Sequence, residues 1–272
     1  MCAPYGWPTA PTRSTSCRSH GASWPPTCRG QTRRRSRAGA RGQWTPSDSC
    51  ETEAVRLSAL IFAERPAASE PDGLLILHHG RGTDEQDLLG LADVLDPARR
   101  LRVVSARAPL QVAGSPGYHW YLVPRVGYPD PDTFQAAFSS LAALHDELWE
   151  RTGLGPEKTV LGGFSMGSVM SYALGLGPGR PTPGGILAFS GFVPTVAGWH
   201  PDLETRQRLR AFIAHGRRDP VIDVTFARDA AALLRGTGLA VEYHESDVGH
   251  QIDATQLPEV VAWLGGVLQA RA

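Results

Sequence analysis

Short strand-like runs alternating with helical periodicity constrain this chain more than any other feature. Gly73–His78 (GLLILH), Leu101–Ala106, residues 159–162 (TVLG), Gly185–Phe189, residues 211–214 and residues 240–244 each read as a strand. Gly73–His78 is a short, continuous apolar run, as expected of a strand covered on both faces. Between them lie stretches of helical spacing: residues 85–95, residues 133–151, a segment opening at Ser165, residues 223–234 and residues 257–268. In residues 133–151 the apolar positions are 134, 137, 138, 141, 144, 148 and 149, which make one helix face. Strands joined by helical crossovers specify an α/β fold, a mostly parallel sheet with helices on both faces. Residues 55–63 alternate apolar and polar, as a half-buried edge strand would. No repeat or linker interrupts residues 55–272, so one domain is expected from residue 53 onward.

The first 52 residues read differently. They are rich in Ser, Thr, Pro, Gly and Arg, and they show no period of either kind. Such a segment buries too little apolar surface to offset its ordering entropy, so a disordered tail is expected there. Residues 1–50 carry eight arginines against one acid, Asp48, whereas the remaining 222 residues carry 19 basic and 26 acidic side chains. The body is thus mildly acidic and gives no electrostatic reason to expect nucleic acid as a partner. All four cysteines (2, 17, 28 and 50) lie in the tail, and their spacing fits no zinc pattern. No apolar run is long enough to span a bilayer, and no leader-like h-region precedes the body. A cytoplasmic chain without stable membrane insertion is the expectation.

Chemistry concentrates in four places. Gly163-Phe164-Ser165-Met166-Gly167 is a G-x-S-x-G pentapeptide between a strand-like TVLG and a helix-like SVMSYALGL. That setting is what a nucleophile elbow requires: the serine sits on a tight, strained turn, and side chains two residues either side of it would collide. The helix behind the turn offers its positive N-terminal end to developing negative charge. An incidental serine in a glycine turn is the bland alternative.

A serine hydroxyl needs a base, and the base needs an orienting carboxylate. On a sheet of this kind these follow in the order Ser, Asp or Glu, His. Asp219, in His215-Gly216-Arg217-Arg218-Asp219-Pro220, follows one strand, and His250, in Asp247-Val248-Gly249-His250, follows another. Both fall at carboxyl ends of strands, where ligands gather in open α/β sheets. Asp223 suits a helix cap, His244 lies inside a strand pattern, His215 suits loop shaping, and neither Asp247 nor His200 has a better claim.

Acyl transfer also needs donors for a developing oxyanion. One is the N–H of Met166, and the other is expected from the loop His78-His79-Gly80-Arg81-Gly82-Thr83-Asp84, with Arg81 N–H best placed. Adjacent histidines on a strand face opposite ways, so His78 and His79 cannot chelate together, and no metal is expected.

LHHGRGTDEQDL, GFSMGS, HGRRDPVI and VGH, in this order, resemble the phospholipase/carboxylesterase family of α/β-hydrolases, which includes the acyl-protein thioesterases. The similarity runs from about Gly73 to the C-terminus. It implies a single α/β-hydrolase domain, Ser165, Asp219 and His250 as triad, and Arg81 and Met166 as oxyanion-hole residues. His119-Trp120-Tyr121 resembles the family's aromatic segment, which implies that Trp120 and Tyr121 wall the acyl pocket; core aromatics under a long loop are the bland alternative. Arg81 replaces an apolar residue common in the family, and Ser168 stands where a third glycine is common. The expected reaction is hydrolysis of a small-molecule carboxylic ester without a cofactor. A thioesterase or lysophospholipase with the same machinery is the alternative, an inactive ligand-binding module a remoter one, and a homodimer is left open. The Pro- and Trp-containing loop over residues 191–207 is a candidate lid.

Overall fold

The computed structural model describes residues 60–269. The expected tail and the start of the run 55–63 lie outside the described residues. Among the described residues, seven strands form the central sheet: β1 (Phe62–Arg65), β2 (Gly73–His78), β3 (Leu101–Ala106), β6 (Thr159–Phe164), β7 (Gly185–Phe189), β8 (Arg210–Gly216) and β9 (Ala240–Ser246). Their order is β1-β3-β2-β6-β7-β8-β9. Only β1 runs antiparallel, against β3; every other pairing is parallel. A small hairpin, β4 (Leu110–Gln111) with β5 (Tyr118–His119), stands beside the sheet. Two-residue strands carry no readable period, which is why the sequence does not announce it.

Alternation along β2 decides the layers. Leu74 and Ile76 enter one core, while Leu75 and Leu77 enter another, because successive side chains point to opposite faces. The first core is closed by α2 (Pro131–Thr152), α3 (Met166–Leu176) and α4 (Thr225–Gly236). The second is closed by α1 (Ala92–Leu95) and α5 (Leu257–Gln269). Helix α2 shows how sharply local signals set its bounds. Asp130 accepts from Thr133 N–H at 3.0 Å, Pro131 opens the first turn, and Gly153 stops it at φ 66°.

The helix expected over residues 85–95 is instead a 3-10 turn, Leu88–Leu91, followed by the single turn α1. Glu85 is drawn away by Arg107, which donates to it twice at 2.5 Å. Gly90 lies in the middle of the run, where glycine costs helix about 1 kcal/mol. At the far end buried Asp96 accepts from Arg65 at 2.7 Å and from Leu101 N–H at 2.8 Å, which turns the chain into β3.

Because β2, β6, β8 and β9 are mutually parallel, their carboxyl ends share one edge of the sheet. Arg81 follows β2, Ser165 follows β6, Asp219 follows β8 and His250 follows β9.

Candidate active site

Ser165 adopts φ 55° and ψ −120°, a backbone conformation that L-residues rarely hold and that costs on the order of 1–3 kcal/mol. Neighbouring backbone imposes it. Ser165 N–H donates to the Phe189 carbonyl on β7 at 2.8 Å. A side chain at Gly163 would strike the Gly167 carbonyl and Ser168 N, and one at Gly167 would strike the His78 carbonyl. Ser168, in place of a third glycine, directs its hydroxyl between the carbonyls of Gly163 and Phe189, 2.6 and 2.7 Å away. The turn is thereby closed from both flanks.

His250 Nε2 lies 2.8 Å from Ser165 Oγ, and its Nδ1 lies 2.6 Å from Asp219 Oδ2. A proton on Nδ1, facing the carboxylate, leaves the Nε2 lone pair for the serine hydroxyl. The other oxygen of Asp219 accepts from Val221 N–H at 2.8 Å and Ile222 N–H at 2.9 Å. Burial pulls the Asp219 carboxyl upward, but the His250 hydrogen bond and these two amides outweigh it and hold it below the ordinary carboxylate range. The ring of Phe164 covers His250 at 4.9 Å.

The rival residues have other work. Asp223 accepts from Thr225 N–H at 2.9 Å at the start of α4. His244 stacks on Phe212, with ring centroids 4.7 Å apart. Asp247 pairs with Arg217 at 2.9 Å. His215 contributes more than loop shaping: its Nε2 sits 2.8 Å from the Ile222 carbonyl and 3.3 Å from Asp219 Oδ2. No local sequence signal distinguishes a histidine four residues ahead of the carboxylate as its neighbour in space.

A cavity of about 130 Å³ opens beside Ser165, and Arg81, Met166 and Tyr121 are among its walls. Trp120 is not on its surface. It lies one layer behind, fully buried, with its indole N–H donating to the His79 carbonyl at 2.9 Å and its backbone N–H 3.2 Å from Met166 Sδ. In the bend that follows the hairpin, Tyr121 reaches the cavity and Trp120 braces the loop below it. The Arg81 loop is held from outside by the hairpin: Gly82 N–H donates to the Tyr118 carbonyl, and Tyr118 N–H to that of Thr83, both at 2.8 Å.

His78 and His79 diverge. His78 faces Ser171 Oγ at 2.8 Å and His145 Nε2 at 3.3 Å, whereas His79 receives Ala108 N–H at 3.0 Å and faces the Gly80 carbonyl at 2.7 Å. Among the described residues no three His, Cys, Asp or Glu side chains gather as a metal site would require, and no helix is long and apolar enough to cross a membrane.

Residues 191–207 are pinned. Val196 and Trp199 are buried, and Asp202 N–H donates to the Leu176 carbonyl at 2.7 Å. Buried Arg206 donates to the carbonyls of Arg180 (2.8 Å) and Gly177 (2.5 Å) and to Thr182 Oγ1 (2.8 Å). Only Phe192, at the start of the segment, joins the cavity wall, so the arrangement is a fixed shelf rather than a hinged cover.

The sequence profile described as Phospholipase/Carboxylesterase matches residues 62–267. Acyl-protein thioesterase 1 of Debaryomyces hansenii is 26% identical over 233 residues, covering 78% of this chain and 100% of the relative. Among solved structures, esterase PE8 superposes with a TM-score of 0.65 at 29% identity, covering 76% of this chain and 99% of that one. A Bacillus cereus carboxylesterase gives a TM-score of 0.67 at 22% identity over 77% and 95% of the two chains, a likeness of fold.

Proposed function

The chain belongs to the phospholipase/carboxylesterase family of hydrolases, and on that premise we propose that it hydrolyses carboxylic esters through an acyl-enzyme on Ser165. Ser165 Oγ attacks the ester carbonyl carbon while its proton passes to His250 Nε2. Backbone N–H groups of Arg81 and Met166 hold the resulting oxyanion, a contribution on the order of 3 kcal/mol per donor. The tetrahedral intermediate collapses, the C–O bond to the leaving group breaks, and His250 returns its proton to the departing alkoxide. Water then adds to the acyl-enzyme with His250 as base, and the carboxylic acid leaves with Ser165 restored. Asp219 fixes the tautomer of His250 and stabilises the imidazolium formed in each half-reaction. No step requires a cofactor. The substrate is a small-molecule ester, and the acidic, cysteine-free body suits a cytoplasmic setting without nucleic-acid partners.

The observation that carries this reading is the unbroken Ser165–His250–Asp219 relay at 2.8 and 2.6 Å. Its similarity to an acyl-protein thioesterase supports a second reading, in which the same machinery cleaves a thioester. A fluorophosphonate probe tests the shared chemistry. The parent protein should label and Ser165→Ala should not; an unlabelled parent, or equal labelling of both, would sink the proposal. Matched oxygen and sulfur p-nitrophenyl esters of increasing acyl length then separate the two readings.

A further inference from the structure

The cavity beside Ser165 touches Met166 and Arg81 but neither His250 nor Asp219. In the reaction above the leaving group must lie on the His250 side, because His250 protonates it. The cavity therefore receives the acyl part. Its wall is mostly apolar, with Tyr121, Val126 and Phe192 among its residues, yet two arginines, Arg81 and Arg125, also line it and no carboxylate does. Both arginines are exposed, and among the described residues neither has an ion-pair partner. Most other arginines near the sheet ends are paired: Arg107 with Glu85, Arg217 with Glu245 and Asp247, Arg228 with Glu245. Arg125 is also held in place, its guanidinium 3.6 Å above the centre of the Tyr128 ring, which lessens the entropy lost when it meets a ligand.

We infer that the acyl group this site selects carries a carboxylate at its far end: a half-ester of a short dicarboxylic acid, with its methylenes against the apolar wall and its free carboxylate between Arg81 and Arg125. Size sets the chain length. A cavity of about 130 Å³ is close to the roughly 150 Å³ that accommodates benzene, so about six or seven heavy atoms fit beyond the ester carbonyl. The inference rests on Ser165 being the nucleophile. Exposed ion pairs contribute about 0.2–1 kcal/mol each, about 1.4- to 5-fold, so two arginines together amount to several-fold selectivity rather than thousands.

The experiment compares p-nitrophenyl hydrogen adipate with its terminal primary amide, p-nitrophenyl adipamate, equal in heavy-atom count and differing in one charge. In the parent protein kcat/KM for the acid should exceed that for the amide by about fivefold at low salt. The ratio should shrink in 0.5 M NaCl and fall to near one in the Arg81→Gln/Arg125→Gln double variant. A parent ratio at or below one, or a ratio unchanged in the double variant, overturns the inference while leaving the hydrolase reading intact. Turnover of neither ester overturns the hydrolase reading instead. In that case the charge selectivity is read from titration of adipate itself: saturable binding to the parent and weaker binding to the double variant support it, and equal binding overturns it.

Discussion

Replacing His145 with phenylalanine should flatten the pH dependence of folding stability by an amount that follows from burial. His78 and His145 are both fully enclosed, with rings stacked 5.4 Å apart. Burial, and secondarily His79, pushes His78 down to about 3. Burial, then the proximity of His78 and Arg180, holds His145 well below its ordinary range. Both stay neutral in the fold while the unfolded chain takes up protons near pH 6.5. The contribution of each is therefore complete above about pH 6.5 and is lost as pH falls, until the folded value is reached. Between pH 6.5 and 4.5 a histidine that stays neutral throughout costs about 2 kcal/mol, so such a pair costs about 4 kcal/mol, a large part of a typical total of 5–15 kcal/mol. Phenylalanine keeps the ring on Trp149, 5.9 Å away, but removes one proton-binding site. Whatever its absolute stability, the variant should lose about 2 kcal/mol less than the parent over that interval. His79, also lowered chiefly by burial, and carboxylates such as Glu245, held at about 2 by Arg228 and Tyr243, are common to both proteins and cancel. Urea unfolding followed by tryptophan fluorescence at pH 6.5, 5.5 and 4.5 measures the difference. Parallel losses in the two proteins, within about 0.5 kcal/mol, would refute the claim that His145 is kept neutral by its enclosure.

Two further outcomes follow from backbone packing. Gly167→Ala should destabilise the fold by roughly 3 kcal/mol or more, because its methyl meets the His78 carbonyl rather than a yielding side chain; thermal melts and fluorophosphonate labelling check this, and a stable, fully labelled variant would contradict it. Arg206→Met strands the Arg180 carbonyl and leaves that of Gly177 with only the long bond from Arg180 N–H (3.4 Å), a loss of about 2 kcal/mol, or roughly 4–8 °C in Tm. Because Arg206 lies outside the cavity wall, turnover of a short ester should be retained at low temperature, and a matching loss of kcat would show the shelf to be part of the site.

The candidate site was legible because this fold writes it locally. Arg81, Ser165 and Asp219 each stand just beyond a strand whose apolar run is plain, His250 follows the more polar β9, and parallel strands carry all four ends to one edge. What stayed hidden depends on depth and on distant partners. Trp120 and Tyr121 are adjacent in sequence, yet one braces and one lines, and composition cannot assign which. The run 85–95 has helical spacing, but Arg107, 22 residues after Glu85, decides that its start is not helix. The loop 191–207 reads as a candidate lid by its prolines and tryptophan; Arg206 ties it down through carbonyls that no motif foretells.

Residue 165 is oriented by its backbone rather than its own side chain: its N–H donates to Phe189, its carbonyl accepts from Val169 N–H, and flanking glycines, with Ser168 closing the turn, leave room for the observed conformation. The hydroxyl's hydrogen-bond partner among the described residues is His250. Location and reactivity are thus separable here. The scaffold specifies an address, and the side chain delivered to it is a replaceable part, so a thiol at this position would arrive at the same imidazole without the fold having to be redesigned around it.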